Sequence, residues 1–186
     1  MGLEYRRSPT DSGEIVGWQD ADWAGEPGKR RSTSAKVFKM AGAAMSWYSG
    51  LQKNDIAQSS LEADYISQCK AAMDATALKQ LSDETQNLRQ ITPSTLFGDN
   101  QGSQSVATNW RMDARTKHIS VKYHYTRFKV QDCTIKLKYC ATDKMIADSL
   151  TKPIGPQKFE WCRKQMGVKD VAPCRLTGCV EEATGH

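Results

Sequence analysis

Carboxylates recur in this chain where expected elements begin or end. The stretch "GWQDADWAG" puts Asp20 and Asp22 after a short apolar run, and "SSLEADY" puts Glu62 and Asp64 at the start of a helix-forming segment. "LFGDNQG" ends another apolar run on Asp99, and "MIADSLTK" carries Asp148 late in the chain. Strand ends and helix termini are where sites assemble in α/β folds. Acids converging on one point repel each other unless divalent cations lie between them. Two Mg²⁺ ions about 3.5–4 Å apart can activate a water and stabilise the leaving oxygen of a phosphodiester. A nuclease is the reading this chemistry gives. Three of these acids also have a plain structural role: a turn residue for Asp99, a solvent-facing helix acid for Asp148, and a capping partner of Ser59 for Glu62.

Spacing separates some of these acids. On a helix, residues two apart point about 200° away from each other. Glu62 continues a stripe through Ile66, Cys69, Met73 and Ala77, so it is expected to face the core, and Asp64 to point away toward Gln68 and Ala71. On a strand, residues two apart share a face, so spacing leaves Asp20 and Asp22 as alternatives.

The elements that must position them follow from pattern. "GEIVGWQD" reads as a strand, and "TSAKVFKMA" and "AAMSWYSG" as two more joined tightly at Ala41-Gly42, an antiparallel meander. From about Ser59 to Glu84 there is no proline or glycine, which predicts a long helix. "STLFGDN" predicts a strand, "QGSQSVATN" a helix, and Thr116 to Val130 a basic, aromatic helix. In "CTIKLKYCA", Ile135, Leu137 and Tyr139 alternate with lysines as in a half-buried strand. "TDKMIADSLTK" and "GPQKFEWCRKQMG" predict closing helices, interrupted between Pro153 and Pro156. The order describes a five-stranded mixed sheet, three antiparallel strands then two parallel ones, flanked by helices.

Composition sets the company such a site keeps. The chain has 186 residues, 39% of them hydrophobic, and a formal net charge of +5. That is enough for one ordinary domain with a real core. No apolar run approaches the roughly 18 residues of a membrane helix, and the start "MGLEYRRSPTDSGE" is too polar for a signal peptide. Basic residues concentrate in "GKRRSTSAK" and in "RMDARTKHISVKYHYTRFK", where interleaved aromatics suit a polyanion partner, a solvated helix face being the alternative. Six cysteines form no Cys-x-x-Cys pair and His118 and His124 have no neighbouring ligand pair, so reduced thiols and no structural zinc site are expected.

Five stretches in order, "GWQDADWAG", "RRSTSAKVFKMAGAAMSWYSGLQKNDIAQSSLEADYIS", "LFGDNQGS", "RTKHISVKYHYTR" and "MIADSLTKPI", resemble the ribonuclease H domain of copia-type retrotransposon Pol polyproteins. The resemblance runs from about Gly17 to Met166. It implies a ribonuclease H-like fold and cleavage of the RNA strand of RNA·DNA hybrids with two Mg²⁺ ions, or Mn²⁺ in their place. Carried over by motif, the acids are Asp20, Glu62, Asp99 and Asp148, with a water attacking phosphorus in line to leave a 5′-phosphate and a 3′-hydroxyl. Asn100, Gln101, Arg115, Lys117 and His118 match positions assigned to substrate contact. Asp20 is preferred to Asp22 only by the resemblance.

The same resemblance frames the margins. Residues 1–16 read as a remnant of the linker from a reverse transcriptase domain, 17–167 as the ribonuclease H-like domain, and 168–186 as a loose tail. An intracellular place follows, in a cytoplasmic particle or the nucleus. The sequence departs from the family in "SLEADY", where Ser-Thr-Glu-Ala-Glu-Tyr is usual, and in Lys36, where an apolar residue is usual. No histidine precedes the last acid in "YCATDKMIAD". A module of the same fold that binds nucleic acid without cutting it is the alternative; an integrase-like joining enzyme fits the "IADSLTKP" ending less well.

Overall fold

The structure, a computed structural model, describes residues 1–6, 14–53, 56–85, 94–109 and 124–170. Strands β2 (Val16–Asp22), β3 (Thr33–Met40) and β4 (Ala43–Leu51) form the antiparallel meander. Ala41 and Gly42 turn between β3 and β4 with φ of 50° and 80°, the positive pair that a two-residue hairpin matched to strand twist requires. β5 (Ser94–Gly98) runs parallel to β2, and β6 (Ile135–Tyr139) parallel to β5, giving the sheet order β4-β3-β2-β5-β6. The mixed sheet has the expected composition and sense. At its margins β1 (Gly2–Leu3) pairs antiparallel with β7 (Val168–Lys169).

Adjacent residues of a strand point to opposite faces, so Phe38 and Val37 mark the two sides of the sheet. On the Phe38 side lies α1 (Ser60–Glu84), whose Ala71, Ala72 and Ala75 meet Ile15, Phe38, Leu96 and Ile135. Small residues bring this helix close. The Ser67 hydroxyl reaches the strands themselves and donates to the carbonyls of Asp20 at 2.8 Å and Ala35 at 3.3 Å. Two further helices, α2 (Gln101–Thr108) and α3 (Tyr125–Gln131), pack beside it. The basic helix expected from Thr116 begins, within the described residues, at Tyr125.

On the Val37 side the expected helix "TDKMIADSLTK" is instead a 3₁₀ turn (Thr142–Lys144) and one turn of helix, α4 (Asp148–Thr151). Packing explains the break. Met145, Ile146 and Ala147 are all buried against Ala35, Val37 and Ala44, and a continuous helix would carry three consecutive residues around to solvent. Next, α5 (Pro156–Gln165) covers the same face, with Trp161 against the Val37 cluster. The unusual Lys36 is accommodated on the α1 side: its ammonium lies 2.5 Å from Asp74 and over the Tyr48 ring at 5.3 Å.

Candidate active site

Three elements each deliver one acid to the same point. Asp20 comes from β2, Asp99 follows the end of β5, and Asp64 lies in the second turn of α1; one carboxylate oxygen from each lies within 4.8 Å of the other two. They line a cleft of about 460 Å³ with Ala21, Asn100, Gln101, Tyr139 and Lys152. Neutral donors fix each acid. Asp64 accepts from the Ala21 backbone N–H at 3.1 Å and from Asn100 Nδ2 at 2.8 Å. Asn100 is itself held, because its Oδ1 caps α2 by accepting from the Ser103 N–H at 3.1 Å. Thr151 donates to Asp20 at 2.6 Å and Thr142 to Asp99 at 2.8 Å.

Asp148 stands apart from this trio. Fully buried at the start of α4, it stands beside Asp20, whose pKa its charge helps to raise, and is met by two ammonium groups. Lys152 lies 2.9 Å from its Oδ1 and 3.9 Å from Asp20 Oδ2, while Lys158 of α5 pairs with its Oδ2.

The helical-face assignment is overturned: Asp64, not Glu62, reaches the cluster. The stripe was drawn through Met73, which is 47% exposed, whereas the sheet-facing positions run through Asp64, Gln68, Ala71 and Ala75. Glu62 takes the capping role instead. Its backbone N–H donates to Ser59 Oγ at 3.2 Å, and its carboxylate accepts from the Gln58 N–H at 2.7 Å. Asp20 and Asp22 are now distinguished as well. Asp22 lies outside the trio, folded back on Gly25 so closely that a Cβ there would sit 1.7 Å from its Oδ2. Asn100 and Gln101 are at the cleft, and Arg115, Lys117 and His118 lie outside the described residues. Sequence reasoning missed Lys152, Tyr139 and the two threonines. For Asp64 a signal existed in the small residues Ser67, Ala71 and Ala75, which allow close approach to a sheet.

Electrostatics divides the site. Burial raises Asp64 to about 7, aided by the charges of Asp20 and Asp99 and opposed by the Asn100 and Ala21 donors. Burial likewise raises Asp20 to about 6, against the Thr151 hydrogen bond and the Lys152 charge. Asp148 goes the other way. Burial would raise it, but its contacts with Lys158 and Lys152 outweigh that and hold it below the usual carboxylate value. Three hard oxygen donors on three elements suit a divalent ion such as Mg²⁺ or Mn²⁺, which would offset the burial and the neighbouring charges that raise Asp64.

No family model matches the chain. It is 36% identical over 154 residues, 83% of its length, to the retrovirus-related Pol polyprotein from transposon TNT 1-94 of Nicotiana tabacum. The chain spans only about a tenth of the curated Pol polyproteins it matches, 11% in that case. Among solved structures it is similar to the RNase H1 of Halobacterium salinarum, with TM-score 0.51 and 14% identity over 75% of this chain and 95% of that one. It is also similar to LC11-RNase H1 in complex with an RNA/DNA hybrid, with TM-score 0.52 and 14% identity over 74% and 94%. The chain is thus a relative of the copia-type retrotransposon Pol polyproteins, matching one segment of them, and it carries the ribonuclease H fold.

Proposed function

We propose that the chain hydrolyses the RNA strand of RNA·DNA hybrids, as the nuclease segment of a Pol polyprotein working inside the cell beside a reverse transcriptase domain. The observation that carries this reading is the convergence of Asp20, Asp64 and Asp99 from three separate elements on one open cleft. LC11-RNase H1, a protein of the same fold, is known in complex with an RNA/DNA hybrid, which supports the choice of substrate.

The residues divide the work. Asp20, Asp64 and Asp99 would hold a divalent cation, which when bound supplies Lewis acidity at a phosphoryl oxygen and lowers the pKa of a water. Asn100 fixes the Asp64 carboxylate and ties it to the start of α2, and Thr142 and Thr151 aim Asp99 and Asp20. Fixing the acids before substrate arrives lowers the cost of ordering them at the reacting phosphate. Asn100 and Gln101 border the cleft where a 2′-hydroxyl can be read, and shape and 2′-hydroxyl contacts together give selectivity for a hybrid with little sequence preference. In-line attack by water leaves a 5′-phosphate and a 3′-hydroxyl.

The test is a hybrid with a labelled RNA strand, incubated with the chain with and without Mg²⁺ beside Asp64→Asn. Cation-dependent cleavage of the RNA strand, lost in Asp64→Asn, is expected. A folded wild-type chain that binds the hybrid and leaves it whole would establish the non-cutting module instead.

A further inference from the structure

Lys152 stands between Asp20 and Asp148 at the edge of the cleft that the trio lines. Its ammonium bridges Asp148 Oδ1 at 2.9 Å and Asp20 Oδ2 at 3.9 Å, and the side chain, 36% exposed, also lines the cleft. Its place is built in. Lys152 follows Asp148 by one helical turn, and its backbone N–H donates to the Asp148 carbonyl at 3.2 Å, so the ammonium stands over that carboxylate. Lys158 takes the other Asp148 oxygen and is anchored to the Thr142 carbonyl at 2.7 Å. Each oxygen of Asp148 thus lies against an ammonium group, Oδ2 hydrogen-bonded to Lys158 and Oδ1 in ion-pair contact with Lys152 without a hydrogen bond of its own.

We propose that Lys152 is an internal cation of the site. The chain then takes one divalent ion among Asp20, Asp64 and Asp99, and takes a second beside Asp148 only when the Lys152 ammonium withdraws. This rests on the reading of the trio as a metal site. An ammonium and a divalent ion cannot share the oxygens between Asp20 and Asp148, because their like charges would stand within a few ångströms in a half-buried setting. Lys158 does not stand between the two acids in the same way: its recorded partners are Asp148 and Thr142, not Asp20. Lys152 has somewhere to go, since its flexible stem opens on the cleft, where a nucleic-acid phosphate offers another anion.

The experiment counts Mn²⁺ bound to the whole chain by the loss of the free-ion spin-resonance signal. Wild type, Lys152→Met, Lys152→Gln and Lys152→Arg are compared, each checked for cooperative thermal unfolding. One tight ion is expected for wild type and Lys152→Arg. For Lys152→Met a second ion is expected, with affinity at least tenfold above any second binding to wild type, and it should vanish when Asp148→Asn is added. Lys152→Gln, which keeps a donor toward Asp148 without the charge, carries the same expectation if the methionine variant fails to fold. Equal stoichiometry and affinity in wild type and the uncharged variants would overturn the proposal while leaving the trio intact. Two tight ions on wild type would overturn it as well. A wild type whose Mn²⁺ binding is absent, or survives Asp64→Asn, would sink the metal reading of the trio itself.

Discussion

The two sides of Asp20 solve the same problem in opposite ways. Toward α4 and α5, the buried Asp148 is neutralised within the chain by Lys152 and Lys158. Toward α1 and β5, Asp64 and Asp99 face Asp20 with only an amide, a backbone N–H and one hydroxyl as hydrogen-bond donors among the described residues. The first arrangement neutralises a buried acid from within the chain, at a net gain that is small but with a large penalty if one partner is removed. The second leaves the buried Asp64 close to the charges of Asp20 and Asp99, which add to the effect of burial in raising its pKa, a strain that favours a ligand of opposite charge.

The contrast is broken most severely by Asp64→Asn. Loss of one carboxylate from the trio should lower hybrid cleavage by roughly 10²–10³-fold, the rate equivalent of the several kcal/mol a bound ion contributes to the transition state. The folded chain should survive the change, because asparagine can still accept from Ala21 and its removal of charge relieves Asp20 and Asp99. Measured rates at saturating hybrid, beside a thermal melt, check both halves.

Acidity sharpens the same comparison. Asp64 and Asp20 have folded pKa values of about 7 and about 6, above the ordinary value of 3.8. A carboxyl raised on folding binds protons more readily in the folded state, so its favourable contribution is complete below pH 4 and is lost as pH rises through the folded value. In the presence of a chelator, wild type should therefore lose on the order of 2–4 kcal/mol relative to Asp64→Asn between pH 4 and pH 8. Mn²⁺ should restore most of that loss. Urea melts of the two proteins at several pH values give the difference directly, and parallel curves would show that Asp64 is not held protonated by its surroundings.

Asp148→Asn should show the opposite character. Here the folded pKa is lowered, so the paired carboxylate stabilises the fold above pH 4 and ceases to as pH falls below its folded value. The substitution strands two ammonium groups, but side-chain exposures of 36% and 27% let both reach water. That moderates the loss to about 2–3 kcal/mol, under the 3–5 expected of a fully enclosed pair. A urea melt at pH 7 measures it, and a negligible change would mean that the lysines do not hold α4 against α5.

How far the sequence carried can be seen in these same residues. The meander, the long helix and the two parallel strands were legible because alternation and unbroken helix formers are local signals, and each strand in the sheet lies within a few residues of its expected bounds. Asp99 was legible as a strand-ending acid, and Asp20 as one of a pair with Asp22 that spacing left open and only the family resemblance decided. The helix acid was not, because a stripe is read by hydrophobicity while close packing on a sheet selects for smallness; Ser67, Ala71 and Ala75 face the strands and Met73 does not. Nor was the break before Asp148, since three consecutive apolar residues fit a helix in sequence and only the sheet they cross forces them out of one.

The smallest effect tests the two acids of α1 against each other. Glu62 sits beside the N-terminus of the helix, where a carboxylate benefits from the exposed N–H groups, and it accepts from Gln58 while Ser59 receives its own N–H. Glu62→Gln keeps an acceptor in the same place and removes only the charge, so the melting free energy should fall by about 0.5–1 kcal/mol. Hybrid cleavage should change less than about threefold, because that oxygen is spent on the cap and does not reach the trio. Rates for Glu62→Gln and Asp64→Asn measured side by side decide which of the two acids belongs to the chemistry. A collapse of cleavage in Glu62→Gln with Asp64→Asn still active would return the site to the face of the helix that hydrophobicity alone had indicated, and would require α1 to turn by roughly half a revolution when substrate binds.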